Sequence, residues 1–491
     1  MTTQQLARKS QESPTAPLTA DQASSHRPMS PRVFVLALAT FATGTGTFIV
    51  TGLLGGVAED LSVPVGTAGH LVTVFAVAYA LLSPFLVAAT GRVGRRRLLV
   101  VTLALFAAAN ALAAAAPTFS VLLVSRVAAG SLAAISTPVA LATAAQLAPP
   151  DRRGRALSIT IGGVSVAWVV GVPLGAVIVD HFGWRASFAL AAALAVVAAV
   201  GVRLMLPVVA NAAPAGGLAS RLTVAGRPAV LVTLAVTVLA MVAGFIVLTY
   251  VRPLLEGLTG LGGEGIGLML FVFGLAGVAG SILGGYGADR WGYRATALPL
   301  LVVLGLSLLS FSLFPAIAAG SVLMFAGVGT AMFAWGAVVF AIIPLQQHHL
   351  IGVAPDQPGG VLSLNSSAVY VGQGLGAGLG SLVLGYAPLA ALGYAGALLA
   401  VVALLALALG ARLSARPAAD ATSPNPPRRS LMRRDRVPEV TAPVAMPTAD
   451  KKATGSGLQA SRVVQRLSFA IESPQRRDAC TTEFQLLKPE T

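Results

Sequence analysis

Twelve apolar runs, most of them 20 or more residues long, fill residues 33 to 411 and leave only short polar turns between them. A helix rising about 1.5 Å per residue needs about 20 residues to cross a hydrocarbon core of about 30 Å, so each run has the length of one membrane crossing. The alternation that a membrane barrel requires is absent, which leaves helices. With 56% hydrophobic and 10% charged residues and a mean hydropathy of +0.81, the chain carries more apolar surface than an ordinary soluble core can bury. Lipid is therefore its solvent. The expected spans are 33 to 57, 66 to 89, 97 to 116, 119 to 148, 156 to 179, 184 to 206, 229 to 251, 264 to 287, 295 to 314, 318 to 344, 358 to 383 and 388 to 411.

An even number of crossings puts both termini on one side, and the placement of arginine says which. The turns after spans 2, 4, 6 and 8 hold Arg92, Arg95, Arg96, Arg97, Arg152, Arg153, Arg155, Arg221, Arg227, Arg290 and Arg294, whereas the opposite turns carry only Arg185 and Arg252 against Glu59, Asp60, Asp180, Glu256 and Glu264. Positive residues stay in the cytoplasm, so both ends are expected there, with the protein in a bacterial inner membrane. The formal charge of +15 then reports topology and headgroup contact, not nucleic-acid binding. Residues 1–32 lack the pattern of a removable signal peptide and read as a disordered cytoplasmic tail. The same reading applies to 413–491, rich in Pro, Arg, Ser and Thr, where the single cysteine, Cys480, excludes a disulfide framework or thiol metal site. Residues 33–206 and 229–412 become two six-helix bundles joined by a cytoplasmic linker at 207–228.

Small residues at four-residue spacing let helices approach in lipid. Span 5 carries Gly163, Ala167, Gly171 and Gly175 in that register, span 8 Ala276, Gly280 and Gly284, and span 11 Gly372, Gly376 and Gly380. Spans 3, 6, 9 and 12 are mainly Ala, Leu and Val with few such stripes, as expected for helices that face lipid. This recurrence divides the chain into four three-helix units. It is reinforced by a duplicated charged turn: Gly285-Tyr286-Gly287-Ala288-Asp289-Arg290-Trp291-Gly292-Tyr293-Arg294 aligns with Gly91-Arg92-Val93-Gly94-Arg95-Arg96-Arg97 when Gly292 is set against Gly94. A duplicated bundle of spanning helices is the form of a solute carrier.

These turns resemble the loop signature of the major facilitator superfamily. Arg126-Val127-Ala128-Ala129-Gly130 resembles its Arg-x-x-x-Gly element in span 4, and Gly171-Val172-Pro173-Leu174-Gly175 resembles the span 5 motif of its drug:proton antiporters, departing from the fuller form at Val172 and Ala176. Asp151-Arg152-Arg153-Gly154-Arg155, Gly183-Trp184-Arg185 and Ser363-Leu364-Asn365-Ser366-Ser367 are further local matches. Together they cover about residues 33 to 411 and are similar to arabinose-efflux-like and chloramphenicol-resistance-like permeases. The resemblance implies an all-α polytopic fold of twelve helices in two pseudo-symmetric bundles. It also implies alternating access and, for Arg126, a part in proton coupling or substrate binding.

The residues supply their own reasons. Arg126 is the ionisable group placed well within a span, where a guanidinium is costly unless it faces a wet cavity or a partner. Asp289, with Arg290 and Arg294 beside it, is positioned to latch one bundle to a helix start of the other, and Gly285 and Gly292 are expected to serve the gating and packing of that turn. Gly171, Pro173 and Gly175 predict a kinked, tightly packed outer half of span 5. The cavity candidates are Thr43, Thr45, Thr47, Trp168, Tyr250, Trp335, Asn365, Tyr370 and Gln373, with Tyr250 also placed where an interfacial anchor belongs. Such aromatic and uncharged hydrogen-bonding groups suit a small neutral or amphipathic solute. No carboxylate occupies Gly44-Thr45-Gly46-Thr47-Phe48 in span 1, so Glu59, Asp60 or His70 are the alternatives for a proton site and a facilitator or importer is the alternative function. The spans hold no His, Asp or Glu cluster for an embedded enzyme, and no Walker-type loop for direct ATP coupling. The expected protein is a monomeric, non-enzymatic, cofactor-free and metal-free exporter of a drug or sugar-like metabolite.

Overall fold

The computed structural model describes residues 30–90, 93–149, 152–207, 223–316 and 321–420. Of the expected tails 1–32 and 413–491, residues 1–29 and 421–491 lie outside the described residues, while Pro31 and Arg32 open the first helix and 413–420 continue the last one. Gly91, Arg92, Asp151, Arg221 and most of the linker also lie outside the described residues. Among the described residues all regular structure is helical. The spanning helices are α1 (Pro31–Phe48, continued by a 3₁₀ turn at Ile49–Gly52), α2 (His70–Thr90), α3 (Arg95–Ala114) and α4 (Phe119–Leu147). After them α5 runs from Arg153–Val166 through a π turn at Ala167–Gly171 into the stretch Val172–Met205, within which Gly183 ends α5 and α6 begins. The second half comprises α7 (Pro228–Leu248), α8 (Gly263–Trp291), α9 (Tyr293–Leu313), α10 (Val322–Val353), α11 (Pro358–Tyr386) and α12 (Ala391–Asp420).

Local chemistry sets these boundaries. Ser30, Thr118 and Ser321 accept backbone N–H groups at the starts of α1, α4 and α10, and Pro31, Pro228 and Pro358 open their helices where a missing N–H costs nothing. Eleven helical stretches are long and apolar enough to cross a membrane, and the longest of them, 153–205, holds two crossings. Gly183 divides that stretch at a φ of +76°, and Gly292 turns α8 into α9 at +80°, in the region that glycine reaches without strain.

The helices form two six-helix bundles, α1–α6 and α7–α12. α3 packs on α6 and α9 on α12 at the periphery, leaving Leu105, Val197, Leu306 and Leu405 exposed to lipid. The glycine stripes close the inner pairs. On α5, Gly163, Gly171 and Gly175 face Ala37, Thr40, Thr45 and Ile49 of α1. On α8, Gly280 and Gly284 lie against the backbone of α10 at Ala337 and Ala341, and on α11 Gly372, Gly376 and Gly380 lie against α7. We term the face nearest both ends of the helical region proximal and the opposite face distal.

Three expectations are corrected. Gly285 faces open space, and the packing positions of its turn are Gly284 and Gly287, the latter against Thr296. Span 1 stops at Gly52 instead of 57, because the chain turns there and a separate short helix, Leu54–Asp60, follows. Span 10 runs to Val353 instead of 344, since its polar end is anchored on the start of α9: Tyr293 donates to Gln346 Oε1 at 3.0 Å and stacks on His349 at 3.8 Å.

Candidate functional site

Arg126 is fully buried on α4. One helical turn on, Gly130 carries no side chain and so admits the backbone of α2 at Phe75, where any Cβ would collide with the Phe75 carbonyl. That close approach brings the Phe75 ring 4.5 Å from the guanidinium, with Phe188 of α6 at 5.7 Å. Arg126 Nη1 donates to the Gly46 carbonyl at 3.0 Å and Nη2 to the Thr47 carbonyl at 3.4 Å, beside the point where α1 gives way to its 3₁₀ turn. Nε has no hydrogen-bond partner. A buried cation is thus held by carbonyl oxygens and π faces, with a donor unspent.

The α5 motif kinks by a π turn. Pro173 lacks an N–H and its ring would press on the carbonyl four residues back, and the widened turn at Ala167–Gly171 relieves that clash. The same turn carries Trp168 to the seam between the bundles. There it meets Phe48 of α1 at 4.3 Å, Phe273 of α8 at 5.7 Å and Phe340 of α10 at 5.4 Å between ring centroids. Gly274 lies directly against the Trp168 backbone. On the other seam Tyr79 of α2 stacks on Tyr370 of α11 at 3.6 Å. Aromatic contacts therefore close both seams near the middle of the membrane.

A polar tier lies beyond them on the distal side. Tyr250 is fully buried, and its hydroxyl lies within hydrogen-bond distance of the Ala377 carbonyl (2.9 Å) and, across the seam, the Gly66 carbonyl (3.3 Å), so it joins the bundles instead of anchoring at a lipid interface. Arg252, in the short helix Val251–Thr259, donates to the carbonyls of Gly52 at 3.1 Å and Ala176 at 3.2 Å, pairs with Asp180 of α5, and reaches Glu256 of its own helix at 2.8 Å. The other Asp180 oxygen accepts the Gly263 N–H at the start of α8. His70 and Ser381 approach to 3.4 Å. These contacts join the two bundles at the distal face.

Asp60 serves its own bundle, accepting from Arg185 at 2.5 Å and Trp184 at 3.2 Å. The Arg185 guanidinium holds the Asp60 carboxyl below its ordinary value of 3.8, against the opposing effect of burial. A depressed folded-state value stabilises the protein above the unfolded-state value and loses that stability as pH falls through it. Because the pair is nearly half exposed, the expected contribution is below about 1 kcal/mol. Asp60→Asn should lower the melting temperature slightly at pH 7, by an amount that shrinks as pH falls below 3.8 and vanishes below the depressed folded-state value; a loss that does not shrink with acid would remove the ion pair as its cause.

At the proximal face Asp289 pairs with His348 of its own bundle at 3.2 Å, and Arg290 is exposed. The expected bridge to the other bundle is not what Asp289 makes in this arrangement, in which the opposite face is sealed. Among the cavity candidates, Thr45 is buried against Gly171, and Trp335 lies inside the second bundle between Phe273 and Phe311. Asn365 is buried and accepts from Thr237 at 3.1 Å, and Gln373 is buried on α11. Thr43 and Thr47 bond to their own helix. Trp168, Tyr370 and Tyr250 are candidates that meet the opposite bundle. Asp180 and Arg252 read in the sequence only as charges of the acidic face, and Tyr79 carried no signal; the one available pointer was that Arg252 and Arg185 are the two arginines of that face.

Twelve helices in paired bundles, with a seam sealed at one face, define a secondary transporter fold. The sequence model of the Major Facilitator Superfamily matches residues 36–357, and the chain belongs to that family. It is 30% identical over 380 residues to YbcL, an MFS-type transporter of Bacillus subtilis, covering 76% of this chain and 94% of that one. To a chloramphenicol resistance protein of Streptomyces lividans it is 34% identical over 395 residues, covering 79% and 99%. To a probable sugar efflux transporter of Mannheimia succiniciproducens it is 29% identical, covering 76% and 92%. Among solved structures, an inward-facing bacterial homologue of the human lysosomal transporter Spinster superposes with a TM-score of 0.63 at 17% identity, covering 78% and 96%. A D-xylose–proton symporter superposes at 0.62 and 16%, covering 77% and 96%. These two share the fold.

Proposed function

We propose that the protein exports a small organic solute, a drug or sugar-like metabolite, by alternating access between its two bundles, with inward proton movement as the drive. The observation that carries this reading is the seam itself: aromatic contacts join the bundles in the middle, hydrogen bonds and an ion pair join them at the distal face, and the reading takes the central space to open on the proximal side. The arginine-rich proximal turns put that face in the cytoplasm, together with both ends of the helical region. In this orientation the arrangement is the one that receives solute from inside. Similarity to a chloramphenicol resistance protein and a sugar efflux transporter supports an organic solute moving outward.

Arg126 is the coupling or substrate-binding group in this reading, and Asp289 with Arg290 forms the cytoplasmic latch when the proximal side closes. The residues 33–206 and 229–412 are the two moving bodies. Among the described spans no carboxylate lies at mid-membrane, which supports a facilitator as the second reading. Counterflow in proteoliposomes with a panel of neutral and amphipathic solutes, run with and without an imposed pH gradient, tests both. Proton antiport predicts solute accumulation driven by the gradient; solute exchange indifferent to the gradient would leave only the facilitator.

A further inference from the structure

The octapeptide that turns α5 into α6, Asp180-His181-Phe182-Gly183-Trp184-Arg185-Ala186-Ser187, has the same pattern as the one that turns α8 into α9, Asp289-Arg290-Trp291-Gly292-Tyr293-Arg294-Ala295-Thr296. Both read Asp, basic residue, aromatic, Gly, aromatic, Arg, Ala, hydroxyl residue. The central glycines share one backbone conformation, φ +76° and ψ 167° at Gly183 against φ +80° and ψ 169° at Gly292. One turn lies on the distal face and the other on the proximal face, in different bundles.

Within each turn the segment after the glycine holds to its own bundle. Trp184 and Arg185 engage Asp60, and Tyr293 engages Gln346 and His349. The aspartate before the glycine takes no part in those contacts, and at the proximal face it pairs with His348 of its own bundle. At the distal face it crosses the seam: one Asp180 oxygen pairs with Arg252 and the other accepts the first backbone N–H of α8. Gly263 admits this contact because a Cβ there would strike the carboxylate. Arg252, with its side chain 8% exposed, commits its remaining donors to Gly52 and Ala176 of the first bundle and to Glu256.

We propose that Asp180, Arg252 and the amino end of α8 form the latch that holds the distal side shut, the inverted counterpart of the Asp289 turn at the proximal side. In a transporter that alternates, each latch closes in one state only. Opening the distal seam strips Asp180 of both partners and exposes Arg252 and the N–H groups of α8 to water. The paired charges thus hold their value only in the distal-closed state, and weakening them moves the population toward the distal-open one. Asp60 and Arg185 sit on the same face but within one bundle, so they carry no such bias.

The inference rests on the alternating-access reading, and its test needs no substrate. In a Cys480→Ser background, Thr51→Cys places a thiol beside Gly52, where Thr51 is 2% exposed beneath the latch. Labelling by a membrane-impermeant maleimide from the distal side is then measured, with the melting temperature of each variant recorded to separate opening from unfolding. Asp180→Asn and Arg252→Gln are each expected to speed labelling at least tenfold, and the double variant to fall well short of the product of the two, since both break the Asp180–Arg252 pair while each also loses bonds of its own. Gly263→Ala, which keeps both charges, should act in the same direction and serves where Asp180→Asn accumulates poorly. An unchanged labelling rate in Asp180→Asn or Gly263→Ala, or rate effects that multiply in the double variant, would overturn the latch. Loss of gradient-driven export with the labelling pattern intact would instead overturn the export reading and leave the latch standing.

Discussion

Arg126→Ala is expected to lower solute transport by at least a hundredfold in proteoliposomes while the protein still inserts and migrates as a folded species. The guanidinium is fully buried between α1, α2 and α6, bonded to the Gly46 and Thr47 carbonyls and faced by Phe75 and Phe188. Its removal leaves those carbonyls without that donor, at about 1–3 kcal/mol. It also removes a charge whose burial in the membrane interior is itself costly, so the two effects oppose each other and folding survives. Function has no such compensation, because the lost group is the buried cation that α1 and α4 share. Arg126→Lys should restore little: the ammonium is a compact charge without the planar fork that reaches both carbonyls while its faces lie against two rings. Counterflow at saturating and limiting solute checks both variants, and near-normal rates in Arg126→Ala would reduce the residue to a packing role.

The membrane fold was legible because each crossing needs a continuous apolar run, and the turns between runs concentrate the charges. The four-residue glycine registers on α5, α8 and α11 also translated directly into packed pairs, since small residues on one face have a single physical use in lipid. Partner choice was not legible. Tyr250 and Arg252 stand at the end of an apolar run, where an aromatic and a cation ordinarily meet the interface, and only the three-dimensional seam makes them interior. Gly285 belongs to the signature turn but points outward, because the helical phase of α8 gives the inner face to Gly280, Gly284 and Gly287. Asp289 shows a further limit: its turn was legible, but its partner in this arrangement, His348 at the far end of α10, lies 59 residues away and no pattern in the sequence links the two.

Replacing Gly280 by leucine is expected to cost the largest share of folded protein. An ideal Cβ at Gly280 would lie 2.6 Å from the Ala337 carbonyl carbon of α10 and closer still to its oxygen, so the obstacle is backbone and cannot rotate away. Relief requires α8 and α10 to part, but they are clamped above and below. Gly336 on α10 faces the Phe273 carbonyl nearly as closely, Gly284 faces the Ala341 carbonyl, and the Phe273 ring packs on Trp335 at 5.0 Å. Overpacking a rigid core costs about 1–3 kcal/mol and more where backbone must move, so Gly280→Leu should fall at or above the top of that range. Gly285→Leu, five residues along with nothing within 4 Å, should remain within about 0.5 kcal/mol of the parent. Size-exclusion profiles and thermal melts of the pair in detergent decide the matter; equal melting of the two would mean that α8 and α10 are free to separate. If they are not, α8 and α10 move as one body, and the rocking that alternating access requires is confined to the seam that Trp168, Tyr79 and Tyr370 close.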